Sequence, residues 1–261
     1  MTKLLAALAA FAVLIGLWQA IILLTDVPFF ILPSPLAVAE TLWRQRDLLL
    51  AHGATTLIEI AAGLLLGTLL GIATAVLLAS TTRLRRLVLP LVIASQAIPV
   101  FAVAPLLVMW LGYGMASKIA MACVIIFFPV TVALADGIAR LEPGLADLAR
   151  VMTGGVQRPG GRWRLLRHLY GPAALPALGS GLRIAAAVAP IGAVVGEWVG
   201  SAGGLGWLML HANARAKIDL MFAALIVLAA LALLLYLGVD RLMRRATPWA
   251  QSSDPATLTD S

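Results

Sequence analysis

Residues 54–79 read ATTLIEIAAGLLLGTLLGIATAVLLA, an apolar run interrupted by a single charge, Glu59. A helix needs about 20 consecutive apolar residues to cross the hydrocarbon core of a bilayer. The run is continuous rather than alternating, which excludes the strands of a membrane barrel. Five further stretches have the same character: 4–24, 87–111, 117–137, 181–200 and 220–240. The expected fold is therefore an all-α membrane protein with about six transmembrane helices. Pro99 and Pro105 break the third stretch and Pro190 lies in the fifth, and neighbouring helices can re-satisfy the carbonyls they free. Within 54–79, Gly63, Gly67 and Gly71 recur every four residues and share one helix face. Small residues at that spacing let membrane helices approach closely, so this stripe is expected to be a packing surface.

Composition leads to the same class. The 261 residues are 62% hydrophobic and only 12% charged, against about 25% charged in soluble domains. A soluble chain of this length needs a charged surface, and this one lacks the residues to make it. The net charge of +7 does not indicate nucleic acid, because Lys and Arg fall between and beside the apolar runs. The lone Cys123 sits inside an apolar run, can form no internal disulfide and belongs to no metal-ligand spacing. It is expected to be a small buried hydrophobe. The first run exceeds the 7–15 apolar residues of a cleaved signal and ends at Thr25-Asp26-Val27-Pro28 without a small-residue cleavage pattern. A retained helix is expected.

Orientation follows from charge. With both termini in the cytoplasm, that side receives Lys3, Arg83, Arg85, Arg86, Arg140, Arg150, Arg158, Arg162, Arg164, Arg167, Arg183, Arg241, Arg244 and Arg245, which is 14. The outer side receives Arg44, Arg46, Lys118, Arg215 and Lys217, which is 5. The excess of Lys and Arg on one side predicts N-in, C-in. Two segments outside the spans stand out. In residues 25–53, Ser34 and Pro35 read as an N-cap and first-turn proline for a short amphipathic helix over Leu36 to Leu50, on the outer surface. The loop 138–180 carries helix-like stretches at Leu141–Met152 and Arg162–Tyr170. A Gly/Pro-rich break, Thr153–Gly161, separates them, and Gly171-Pro172-Ala173-Ala174-Leu175-Pro176 follows. A transmembrane domain over 1–251 and a short polar tail, 252–261, complete the division.

Several residues invite chemistry. Glu197 lies in the fifth span, where a carboxylate costs about 2.5–3.5 kcal/mol at the bilayer centre and so faces a cavity or partner, or else sits at the wet end of its helix. Glu59 and Asp136 pose the same choice, and both are expected near water at the ends of their helices. Ser95-Gln96-Ala97-Ile98-Pro99 places a polar pair before a proline, where backbone opens toward a cavity and Gln96 can bond a substrate. No G-x-x-x-x-G-K-[ST] phosphate loop exists, so the chain is not expected to bind or hydrolyse ATP by itself. Ser180, with His168 and His211, suggests a membrane protease only until topology is considered, since Ser180 and His211 fall at opposite membrane faces. A gradient-driven carrier or channel predicts paired intramembrane charges and an inverted repeat, and the sequence reveals neither.

An ordered set of short motifs carries a family resemblance over about residues 28–249. They are Leu32-Pro33-Ser34-Pro35, Ser95-Gln96-Ala97-Ile98-Pro99, Ala104-Pro105-Leu106, Trp110-Leu111-Gly112-Tyr113-Gly114 with Ser117-Lys118, and Phe127-Phe128-Pro129. Asp147-Leu148-Ala149-Arg150, Leu175-Pro176, Ser180-Gly181-Leu182-Arg183, and Gly196-Glu197 ahead of Gly203-Gly204-Leu205-Gly206 follow. The chain resembles the permease subunits of bacterial ABC importers of the sulfonate, taurine, nitrate and thiamine-precursor group. The resemblance implies a type I permease fold in the inner (plasma) membrane. It also implies a second permease copy, a separate ATP-binding subunit and an extracytoplasmic solute-binding protein, with no cofactor. It makes 138–180 the coupling loop, with Asp147, Ala149, Arg150, Gly154, Gly155, Arg164 and Pro172 at the motor contact. Gln96 and Glu197, by the chemistry given above, are the candidates for the substrate pathway. The chain departs from the family pattern in Val156 to Gly161, about six residues inserted at a tight turn, and in Gly171-Pro172 where the family has Leu-Pro. The stretches 189–198, 211–215 and 219–224 look most like hydroxymethylpyrimidine (thiamine-precursor) permeases.

Overall fold

The computed structural model describes residues 2–140 and 170–250. Nine helices run through the described residues: α1 (Thr2–Thr25), α2 (Pro35–Arg44), α3 (Arg46–Ser80), α4 (Thr82–Ser95), α5 (Val100–Leu111), α6 (Met115–Ala139), α7 (Gly171–Gly200), α8 (Leu205–Ala214) and α9 (Ile218–Ala246). Four of them, α3, α6, α7 and α9, are long and apolar enough to cross a bilayer, and α4 with α5 makes a fifth span if the bent pair counts as one. The apolar part of α1, Ala9–Thr25, is shorter.

The glycine stripe of α3 explains how the core closes. Gly67 and Gly71 each face α6 so closely that an added Cβ would come 2.8 Å from Ile126 and Val130, respectively, and one on Gly63 would strike Ala122. The contacts advance in register, 63 with 122, 67 with 126 and 71 with 130, so α3 and α6 run parallel. Missing side chains bring the helices together at backbone distance, which is the source of attraction where lipid removes the hydrophobic drive. An adjoining face of α6, which shares Ala122 and Val130, takes α7 in the same manner. A Cβ on Gly181 would lie 2.8 Å from the Pro129 carbonyl, and one on Gly192 2.7 Å from the Ala122 Cα. Here one number rises as the other falls, so α7 is antiparallel to α6. Ile60, Ala122, Ile126, Val130, Ala185, Ala189 and Ala193 fill the seam.

Smaller elements close one end. Ser34 caps α2 by accepting a hydrogen bond from the Ala37 N–H at 3.3 Å, with Pro35 at the first turn, as expected. This helix ends at Arg44, however, and the residues read as its second half start α3 at Arg46. Thr41 donates to Asp219 at the start of α9, 2.7 Å away. Val38, Leu49, Leu205, Leu208, Leu220 and Ala223 form one buried cluster that joins α2, α3, α8 and α9.

Three boundaries differ from the sequence expectation, the first being the start of α3 at Arg46 rather than 54. The third span stops at Ser95 and restarts at Val100 with a bend of 95°. Pro99 makes that break by disfavouring helical backbone in the residue before it, whereas Pro105 stays inside α5. The fifth span begins at Gly171, not 181, so Pro172 and Leu175-Pro176 belong to a continuous helix rather than a loop. Pro172 stands in the first turn, where its missing N–H costs nothing.

Candidate functional site

Three buried charges meet at the end of the bundle remote from residues 140 and 170. Glu59 of α3 is fully buried, Glu197 of α7 is 1% exposed, and Lys118 of α6 is 5% exposed. Lys118 Nζ pairs with Glu59 Oε1 and also donates to Ser201 Oγ at 3.0 Å. Glu197 lies under the N-terminus of α8. Its Oε1 accepts from the Thr56 hydroxyl at 2.6 Å, and its Oε2 from the N–H groups of Gly206 and, at 3.2 Å, Trp207.

The first backbone donors of a helix have no partner inside it, and their end of the helix carries partial positive charge. In α8 these donors are received by other helices. The Leu205 N–H goes to Thr56 Oγ1 at 2.8 Å, those of Gly206 and Trp207 go to Glu197, and the Gly204 N–H ahead of them goes to His52 Nδ1 at 3.0 Å. The glycines are sterically required. Gly204 has φ of +109°, and its missing Cβ would fall inside the Glu197 carboxyl. A Cβ on Gly206 would stand 2.8 Å from Glu197 Oε2. The Glu197 and Gly203-Gly204-Leu205-Gly206 motifs are thus the two halves of one carboxylate cradle. The Trp198 indole closes it by donating to the Gly206 carbonyl at 3.0 Å. Outside it, Trp207 stacks between His52 and His211, with ring centroids 5.4 and 3.9 Å away.

The sequence expectations fare unequally against this geometry. Glu59 was expected beside water and is instead buried in an ion pair. The long helix begins at Arg46 and carries it more than three turns inward. Lys118, counted above as an outer loop charge, is its partner. Paired intramembrane charges, which the sequence did not reveal, therefore exist, and their supposed absence is no ground against a gradient-driven carrier. Glu197 is neither snorkelling nor open to a cavity, since both its oxygens are engaged by the chain. Asp136 is half-exposed at its helix end and accepts from Arg85 at 3.1 Å. The glycine stripe is a packing surface, as read. Gln96 is exposed at the α4–α5 break. Ser180 is exposed and donates to the carbonyl of Pro176. Asp147, Ala149, Arg150, Gly154, Gly155 and Arg164, the inserted Val156–Gly161 and His168 lie outside the described residues. Of the coupling-loop residues, Pro172 is described.

Sequence reasoning missed the Lys118–Glu59 pair although a signal was present: two apolar runs each hold one buried charge, and the charges are opposite. Their 59-residue separation hid the match.

The comparisons with known proteins agree with this architecture. The family model for the binding-protein-dependent transport system inner membrane component matches residues 67–251. A probable ABC transporter permease protein of Haemophilus influenzae is 51% identical over 93% of this chain and 97% of its own length. The formylaminopyrimidine transport permease protein ThiX of Halalkalibacterium halodurans is 35% identical over 92% of this chain and 93% of its own. The riboflavin transport system permease protein RibX of Chloroflexus aurantiacus is 37% identical over 92% and 88%. In fold, the chain superposes on a chain of the inward-facing MetNI methionine ABC transporter with a TM-score of 0.68. That match has 23% identity and covers 78% of this chain and 98% of the other. The chain belongs to the family of binding-protein-dependent inner membrane transport components, and is an ABC importer permease subunit of the type I fold.

Proposed function

We propose that this permease imports a small polar organic solute built on a flat nitrogen heterocycle, with hydroxymethylpyrimidine, a thiamine precursor, as the first choice. The observation that carries the proposal is the near full-length similarity to a formylaminopyrimidine permease. A second reading, riboflavin, is supported by the comparable similarity to RibX, and sulfonate or taurine follows from more distant relatives. The two nearer readings share a planar heteroaromatic ring.

The mechanism proposed is alternating access in a pair of permease copies served by two ATP-binding subunits and an outer binding protein. With N-in, C-in orientation, supported by the 14-to-5 charge distribution, the Lys118–Glu59–Glu197 cluster lies at the extracytoplasmic end. The coupling loop, residues 138–180, then faces the motor. Arg85 and Asp136 join α4 to α6 beside that loop. The α4–α5 break, with Gln96 exposed on it, is the proposed stretch of pathway. Its freed backbone and amide offer hydrogen bonds that the apolar spans withhold. Glu197 contributes from the outer gate by holding α8 in place.

The ligand is tested on the solute-binding protein that co-purifies with this permease. Thermal shift and calorimetry against hydroxymethylpyrimidine, formylaminopyrimidine, riboflavin and taurine should select a pyrimidine. Selection of riboflavin would move the assignment to the second reading, and selection of taurine would sink the heterocycle proposal.

A further inference from the structure

This inference rests on the permease reading and on the orientation proposed above. We propose that Lys118 is a positioning residue for transport: by holding Glu59 and Ser201 together, it fixes the Ser201–Gly204 turn and α8 to the α3–α6–α7 core.

Three observations lead there. First, an ammonium has three donors, and Glu59 takes one while Ser201 Oγ takes another. The Ser201 hydroxyl is then fully used, accepting from Lys118 and from the Gly203 N–H at 2.9 Å and donating to the Gly203 carbonyl. Lys118 is thereby bonded to the one side chain that organises the turn from within. Second, every other anchor of the turn comes from another helix. His52 of α3 receives the Gly204 N–H, and Thr56 of α3 and Glu197 of α7 receive the first backbone donors of α8 that follows it. The turn has the shape its neighbours impose. Third, a buried ion pair contributes little net stability compared with an apolar pair of the same shape. Stability alone therefore does not account for a lysine in a glycine-packed seam, where Gly196 leaves a Cβ only 3.0 Å from the Lys118 Cα. Holding a surface turn to three helices does account for it. On the extracytoplasmic face, a fixed turn passes the push of a docking protein to the core, whereas a loose turn absorbs it.

The test uses the whole transporter, permease with its ATPase and binding protein, in nanodiscs. A spin label at the exposed Ala202 (A202C in a C123S background) reports turn mobility. Two variants separate clasp from fold. S201A removes the turn's bond to Lys118, together with the hydroxyl's own bonds to Gly203, and leaves the ion pair, so the clasp itself is read from the second variant, which keeps Ser201. K118M/E59L removes both charges and leaves none unpaired. Both should assemble and keep basal ATP hydrolysis within about twofold, show a mobile label, and lose about tenfold of the stimulation given by binding protein loaded with hydroxymethylpyrimidine. A label as immobile as in the parent in K118M/E59L would overturn the proposal. So would a mobile label with undiminished stimulation, or equal loss of basal and stimulated activity in both variants. The label spectrum judges the clasp even where the parent complex shows no stimulated hydrolysis, an outcome that removes the hydroxymethylpyrimidine assignment separately.

Discussion

The α3–α6–α7 core and the α4–α5 limb are made from equally apolar sequence, yet they are built on opposite plans. In the core, glycines stand at every crossing, backbones touch, and a buried ion pair closes one end. In the limb, Pro99 breaks the helix by 95°, and Leu87, Leu91, Ile98, Phe101, Met109 and Trp110 are exposed. Ala104 and Val108 hold α5 to the core. By contrast, α4 packs chiefly on α3, with Val88 and Leu89 against the cluster of Ala75, Leu78, Leu134, Ala135 and Ala174, and is tied to α6 by the Arg85–Asp136 pair. The difference teaches where motion is cheap. Close-packed seams are bistable at best, whereas a segment with few buried contacts opens at low cost.

The largest effect should come from overfilling the core. Gly192→Leu and Gly67→Leu force a side chain into the backbone or side chains of α6, and a loss above about 3 kcal/mol is expected, seen as absence of monodisperse protein on size-exclusion chromatography. The same change at Gly238, where nothing lies within 4 Å, should be tolerated. If Gly192→Leu and Gly238→Leu behave alike, the contrast between core and surface helix faces fails.

Next comes the charge cluster. Lys118→Met leaves Glu59 buried without its partner and should destabilise by about 3–5 kcal/mol in a detergent unfolding series. Adding Glu59→Leu should return most of that loss, and additive losses would mean that the pair is not coupled. Gly204→Ala combines an unfavourable positive φ with a collision on Glu197, and about 1–3 kcal/mol is expected by the same measurement.

The limb should behave differently. Gln96→Ala and Arg85→Ala touch exposed or half-exposed groups, so stability should change by no more than about 1 kcal/mol while substrate uptake falls. Unchanged uptake in Gln96→Ala would remove the break from the pathway.

How much of this was legible depends on whether the signal is local. The apolar runs and the four-residue glycine spacing are local patterns: the runs gave the all-helical class and the approximate places of the four or five spans, and the spacing gave the correct packing face. The Ser34-Pro35 start of α2 is likewise a matter of adjacent residues. The position of the break is half-legible. Pro99 and Pro105 look alike in sequence, yet the helix breaks at Pro99 and continues through Pro105, beside the buried Ala104 and Val108. The cluster was hidden because its members are far apart along the chain. Glu59 read as a wet residue while its helix was taken to begin at 54, and eight more residues of helix at the N-terminus place it inside. Lys118 read as a loop charge because it lies at the edge of an apolar run. The purpose of Gly204 and Gly206 emerged only when Glu197 was found between them, since a glycine requirement made by a distant side chain leaves no periodic trace.

The claim that this chain works as one subunit of an ATP-driven importer is tested most directly by purifying it, tagged, from its native membrane in gentle detergent and identifying what stays bound. The account predicts two permease copies with an ATP-binding subunit, and recovery of a solute-binding protein after mild cross-linking. Recovery of the chain alone, folded and monodisperse but without any ATP-binding subunit, would contradict it.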